Sequence, residues 1–338
     1  MLAMETLFRV TAREAVSRLK NGEVSPIELI DAAEERIRKT DAKINALPTL
    51  CFDRARTNAR RLIEKPIKDA PPQYLHGLPI AVKDLVEVSG VRTTWGSPIH
   101  AEHISTHSDY LVERLEANGA IVIGKSNTPE FGAGSHTFNR VFGITRNPYD
   151  LSVSSGGSSG GAAAALAARM IPLADGSDNG GSLRNPAAFC NVVGFRPSPG
   201  RIPFYPARNP WSDLSTEGPM ARTTVDIALL FSVLAGPDPR LPGLLETEGS
   251  EFRHVKSIPL ENLKIGFTED FGGLPVEKPI RKTLRGFARD LETAGAAVEE
   301  ATPNFRDASR IFHILRASTF RRFRQLRKDR FVQLKDTI

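Results

Sequence analysis

Apolar residues recur at helical spacing through the first third of the chain, and each recurrence follows a start signal. Thr11 with Glu14 forms a capping box ahead of Val16 and Leu19. Ser25, Pro26 and Glu28 form a second, with proline at the first helical position. Ile27, Ile30, Ala33 and Ile37 then share one helical face. After a polar, proline-bearing stretch at residues 64–74, the unbroken run at 78–82 reads as a short buried strand. A helix over 109–117, closed by Asn118 and Gly119, leads into a strand at 120–123. Residues 154–161 are all serine or glycine, and a helix of small residues opens at Ala162. A helix near 225–234, a strand near 263–267 and a helix near 277–293 follow. Helices alternating with short apolar strands predict an α/β fold around a mixed or parallel buried sheet.

Composition narrows the class. The 338 residues are 40% hydrophobic and 25% charged, which excludes a disordered chain, a collagen-like fibre and a disulfide-dense mini-domain. The net charge of +6 first suggests an acidic partner. Residues 316–338, however, hold eight basic and two acidic side chains, which account for all of it. The rest of the chain is formally neutral and offers no basic body for nucleic acid. Cys51 and Cys190 give neither a disulfide framework nor a zinc spacing. No secretory apolar segment and no 18-residue apolar run occurs, so a soluble, cytoplasmic protein away from the membrane is expected.

Two motifs mislead. Residues 119–126, GAIVIGKS, match the phosphate-loop pattern, but the four spacers are strand formers and Pro129 falls where the helix should be under way. That segment reads as a strand end. Residues 156–160 fit the GxSxG elbow of α/β-hydrolases, which needs a downstream acid and histidine. Only His254 and His313 follow, and the seven histidines are scattered, each reading as a surface or core residue. A serine hydrolase here would use another base.

A third constellation is stronger. Two serine–glycine segments, 154–161 and 176–184, flank the alanine helix. Either could be a flexible loop, but the glycine doublet before Ser182 would let backbone N–H groups converge on one point, as an oxyanion hole requires. Upstream, Lys83 closes the apolar run at 79–82. A lysine there either snorkels to the surface or sits neutral as a general base, and the run alone leaves both open.

With these segments, the chain resembles the amidase signature family of serine hydrolases. The likeness covers residues 77–84, 119–131 and 142–150, the serine–glycine block through 186–190, and then 193–201 and 218–222. It implies one large α/β domain with a mixed sheet flanked by helices on both faces. An N-terminal helical segment over 1–75 would pack on a core over 76–338 in that same domain. It implies a Ser–Ser–Lys triad: Ser182 as nucleophile, Ser158 as the bridging serine on a cis peptide after Gly157, and Lys83 as base. Asn179, Gly180, Gly181 and Ser182 would form the oxyanion hole. Asp178, Arg184 and Ser159 would support it, and Phe131, Gly132 and Ser135 would belong to the substrate loop. Asn179, Ser155 and Arg169 depart from the common residues without removing a triad member.

The function implied is hydrolysis of a carbon–nitrogen amide bond in a small-molecule substrate, with no metal and no cofactor. Nucleic acid and membrane are not expected partners, and a homodimer is left open. The rivals are a glutamine-dependent amidotransferase component of the A type and a catalytically idle truncated fragment or pseudoenzyme. Family members run further, so the chain is expected to be incomplete at its C-terminus. Phe312, Leu315, Phe323, Leu326 and Leu334 are expected to line one apolar helical face there.

Overall fold

The structure, a computed structural model, describes residues 7–67, 69–204, 211, 213–240, 245–320 and 334. Its contacts divide into two compact units, residues 1–255 with 325–338, and residues 256–324.

The larger unit begins with α1 (Ala12–Lys20) and α2 (Pro26–Ile44). The Ser25 box is complete, each partner's side chain reaching the other's backbone. At Thr11 only half of it forms, because the Glu14 carboxylate pairs instead with Arg18 one turn on. Next come β1 (Thr49–Leu50), α3 (Phe52–Glu64), β2 (Pro79–Lys83), α4 (Tyr110–Ala117) and β3 (Ile121–Ser126). Two small hairpins follow, β4 (Phe138–Asn139) with β5 (Gly143–Ile144), and β6 (Arg146–Asn147) with β7 (Asp150–Ser154). Then come α5 (Gly160–Ala167), β8 (Leu173–Asp178), α6 (Arg184–Phe189), β9 (Val193–Gly194), β10 (Thr216–Ala221) and α7 (Thr224–Leu234).

Six strands make one mixed sheet in the order β1-β3-β2-β8-β10-β9. Of the four inner strands, β3, β2 and β8 run parallel, and β10 returns antiparallel on β8. Alternation along the strands splits the core in two. Ile80, Val82, Val122 and Leu173 face a layer built from α1, α4 and α7. Ala81, Ile121, Ile123, Ala174 and Met220 face α2, α3 and α5. The expected mixed sheet with helices on both faces is what the chain forms.

The alanine helix needs its small residues. Every residue of α5 from Gly160 to Leu166 is buried, and a Cβ on Gly161 would run into the backbone of Asn127 and Ala46. The helix starts two residues earlier than its alanines suggest, inside the glycine block.

The smaller unit is a β–α–β arrangement: β11 (Lys264–Phe267), α8 (Lys278–Thr293) and β12 (Ala297–Glu300), the two strands parallel. Arg285 of α8 reaches Glu269 and Glu300, each at 2.9 Å. Its last helix, α9 (Ala308–Phe320), carries Phe312 and Leu315 of the expected apolar face, whereas Phe323 and Leu326 lie outside the described residues. No helix among the described residues is long and apolar enough to cross a membrane.

Candidate active site

Lys83 is the last residue of β2 and is completely buried. Its backbone N–H donates to Asp175 Oδ1 of β8 at 2.7 Å. Its Nζ lies 2.8 Å from Ser158 Oγ, 2.8 Å from Ser159 Oγ and 3.0 Å from Ser177 Oγ. Among the described residues no carboxylate is in ion-pair contact with it. Burial pushes the amine down from its usual 10.5 to about 8, against the pull of Glu217, Asp175 and Asp178. A neutral amine has one lone pair and two N–H groups, so it can accept from one hydroxyl and donate to two. Three hydroxyls are what it meets.

The serines arrive from the turn before α5. The Gly157–Ser158 peptide is cis, as the resemblance implied. A Cβ on Gly157 would crowd the backbone of His136, which explains glycine there. Ser158 is 2% exposed, and the Ser159 N–H donates to the Ser182 carbonyl at 3.2 Å, tying the two serine–glycine segments together. Among the described residues no hydrogen bond joins the hydroxyls of Ser158 and Ser182.

Asp178 organises the turn that carries Ser182. Its carboxylate accepts from the amides of Gly181 (2.7 Å) and Leu183 (3.2 Å), and from the guanidinium groups of Arg184 and Arg196. Burial alone would raise this carboxyl, but the Arg184 hydrogen bond and the two amides hold it at about 2. Gly181 has φ +109°, a region that disfavours side chains, so the glycine permits the turn. Its amide is committed to Asp178, whereas those of Asn179, Gly180 and Ser182 make no hydrogen bond among the described residues.

The substrate-loop residues divide. A Cβ on Gly132 would lie 3.6 Å from Ser158 Oγ, so this glycine borders the cluster. The Phe131 ring meets His100 edge-on at 6.0 Å, and its N–H donates to the Trp95 carbonyl at 2.7 Å. Ser135 is exposed in the same loop.

Some features have no signal in the sequence. Ser177, Asp175 and Glu217 surround the lysine, yet only the strand pairing of β8 with β10 reveals it. Three of the histidines are gathered by the fold: His100 and His103 pack around Trp95, and His103 and His107 both reach Glu87. Glu87, His107 and Asp109 present oxygen and nitrogen atoms within 4.8 Å of one another, the described group closest to a metal-ligand set. Lys125, of the phosphate-loop pattern, is fully buried in β3, where its Nζ donates to Val86 O, Thr93 Oγ1 and Asp84 Oδ1. Those three bonds leave it no donor for a phosphate.

A lysine–serine cluster without histidine, at the end of a mixed α/β sheet, defines a narrow class of protein. The amidase family model matches residues 28–336, and the chain belongs to the amidase family, whose members include the amidase signature enzymes. A solved bacterial aryl acylamidase of that family superposes with a TM-score of 0.85 at 31% identity, covering 97% of this chain and 70% of that one. A 6-aminohexanoate cyclic dimer hydrolase solved with substrate follows at TM-score 0.80 and 28% identity, covering 96% and 69%. Among curated relatives, the A-subunit of the glutamyl-tRNA(Gln) amidotransferase from Carboxydothermus hydrogenoformans is 36% identical over 296 residues. Its counterpart from Geobacillus thermodenitrificans is 38% identical over 314. The chain spans 61% and 65% of the length of these two relatives, while 88% and 93% of the chain itself is matched.

Proposed function

We propose that the chain carries the hydrolytic site of an amide-cleaving enzyme, with Ser182 as nucleophile, Ser158 as proton bridge and Lys83 as base. The observation that supports it most is the buried Lys83 amine, bonded to Ser158 and Ser159 and, among the described residues, in ion-pair contact with no carboxylate. Neutral Lys83 takes the Ser158 proton as Ser158 takes that of Ser182, and Ser182 Oγ adds to the amide carbonyl. The gap between the two serine hydroxyls closes as substrate seats, since catalytic hydrogen bonds often tighten only in the complex. The amides of Asn179, Gly180 and Ser182 face the growing oxyanion, each donor worth about 3–4 kcal/mol. Gly181 serves differently from its neighbours, fastening the turn to Asp178. Ser158 then protonates the leaving nitrogen, and water releases the acyl group by the reverse relay. Ser159 and Ser177 hold the amine in place. The substrate in this reading is a small-molecule amide met in the cytoplasm.

A fluorophosphonate probe tests the assignment directly. Labelling should fall on Ser182 and vanish in Ser182→Ala, and a folded protein that takes no label overturns the reading. The identity of 36–38% to the amidotransferase relatives favours a second reading, release of ammonia from glutamine for use by a partner protein. Ammonia production on added glutamine, set against hydrolysis of simple aryl amides, separates the two.

A further inference from the structure

Glu217 stands on β10 directly across from Ser177 of β8, the serine whose hydroxyl is 3.0 Å from Lys83 Nζ. Asp175, two residues before Ser177, points to the same face of the strand and accepts the Lys83 backbone N–H. Glu217 is only 7% exposed, and its carboxyl makes no hydrogen bond among the described residues. Its Oε2 and the Oδ2 of Asp175 are both enclosed, with no hydrogen-bond partner among the described residues. Two carboxyl groups thus lie beside the base with oxygens unsatisfied, an arrangement costly when both are ionised and relieved by a proton.

Among the described residues the charged surroundings are few. Lys83 comes from β2, Asp175 and Asp178 from β8, Asp109 from the head of α4, and Lys125 of β3 acts on Asp175. Asp178 is already neutralised by Arg184 and Arg196. The helix packed on β10, α7, carries one charge, Asp226 in its first turn, which accepts the Arg13 amide. The neighbouring β9 contributes no charge.

We propose that Glu217 is a positioning residue for the base: its carboxyl and the Lys83 amine lose their protons as one pair, and the state of the carboxyl decides at what pH the Lys83 amine is free. The inference rests on the reading of Lys83 as base. With one proton, the pair is either ammonium and carboxylate or amine and carboxylic acid, and only the second leaves a lone pair for Ser158. Burial favours the neutral form, because the two groups share no direct hydrogen bond to offset charge separation. Burial and the Asp175 charge raise the Glu217 carboxyl to about 8, in line with the geometry.

Glu217→Gln removes the carboxylate and with it the ammonium–carboxylate form. The acid limb of kcat/KM on an aryl amide should therefore move down by about one pH unit. Glu217→Asp, which keeps a carboxyl, should bring the limb back toward the parent position. A second measurement needs no turnover. A carboxyl whose folded pKa is raised stabilises the fold fully below its unfolded value near 4.5, and that stability is lost as pH rises through about 8. The urea midpoint of Glu217→Gln relative to the parent should thus climb between pH 5 and 8 and level off above. A pH-independent offset in that midpoint, or equal losses of rate in both variants with no movement of the limb, overturns the proposal. If the stability curves behave as expected while the parent hydrolyses no amide, the activity reading has failed and the proton pair has not.

Discussion

The Nζ of Lys83 lies 2.8 Å from the hydroxyl of Ser158, although the two residues are 75 positions apart and reach one another from a strand end and a glycine turn. The lysine is sealed from solvent there, and its nearest polar neighbours are hydroxyls. Burial favours the neutral amine, and the hydroxyls give its lone pair a proton to take.

Activity should therefore rise with pH. In the proposed relay the amine is the working form, so kcat/KM should be low below and high above the value of about 8 to which burial lowers Lys83. A profile flat across pH 6–9 would contradict a lysine base. Lys83→Ala should cost about 10²–10⁴-fold in kcat/KM. Lys83→Arg should do no better, since a guanidinium keeps its proton.

Asp178→Asn should loosen the turn that carries Ser182. The carboxylate is held low, at about 2, so its contribution to stability is present above the ordinary value of 3.8 and lost as pH falls through 2. The parent should exceed the variant by about 1–2 kcal/mol above pH 4, allowing for solvent screening on the exposed Arg184 side. The gap should close on acidification, as followed by urea unfolding at a series of pH values. The loss of kcat should persist at neutral pH, because the Gly181 and Leu183 amides lose their anchor.

Lys125 should prove structural. Its ion pair with Asp84 is buried on both sides, and the Asp84 carboxylate also accepts from the Thr94 amide and hydroxyl. Lys125→Ala should cost about 3–5 kcal/mol by stranding that carboxylate. ATP should leave the melting temperature of the parent unchanged, and an upward shift would revive a phosphate-binding role.

Two glycine-to-alanine changes should act in opposite directions. Gly161→Ala drives a methyl group into the backbone of Asn127 and Ala46 and should destabilise the larger unit by about 1–3 kcal/mol. Gly286→Ala, inside α8 with open space around it, should protect that helix from hydrogen exchange by about 0.5–1 kcal/mol.

The amphipathic helices, the strands β2 and β3 and the true nature of GAIVIGKS were all legible, because each is written in local spacing. Other elements were not. In α3 only Ala55 and Ala59 are buried, and the helix is held by long-range pairs such as Arg54 with Glu116 and Arg56 with Asp31. No strand was expected at β8 or β10, because glycine and acidic residues interrupt the apolar pattern of LADGSD and TEGPMA. Two of their carboxyl groups, Asp175 and Glu217, sit beside Lys83, where burial raises both toward the neutral form. Histidines that look scattered along residues 100–107 converge on Trp95 and Glu87 once the segment folds.

The sequence by itself determined the family, the α/β class and the residues that could react, since motifs and periodicity are properties of neighbouring positions. It left open whether Lys83 snorkels to the surface or is buried. Tertiary structure decided that, because the order β3-β2-β8-β10 brings the end of β2 under Ser158, Ser159 and Ser177 and walls it off from water. The state of that amine depends on solvent exclusion and on carboxylates such as Glu217, which lies 134 positions further along the chain. No local pattern carries that information.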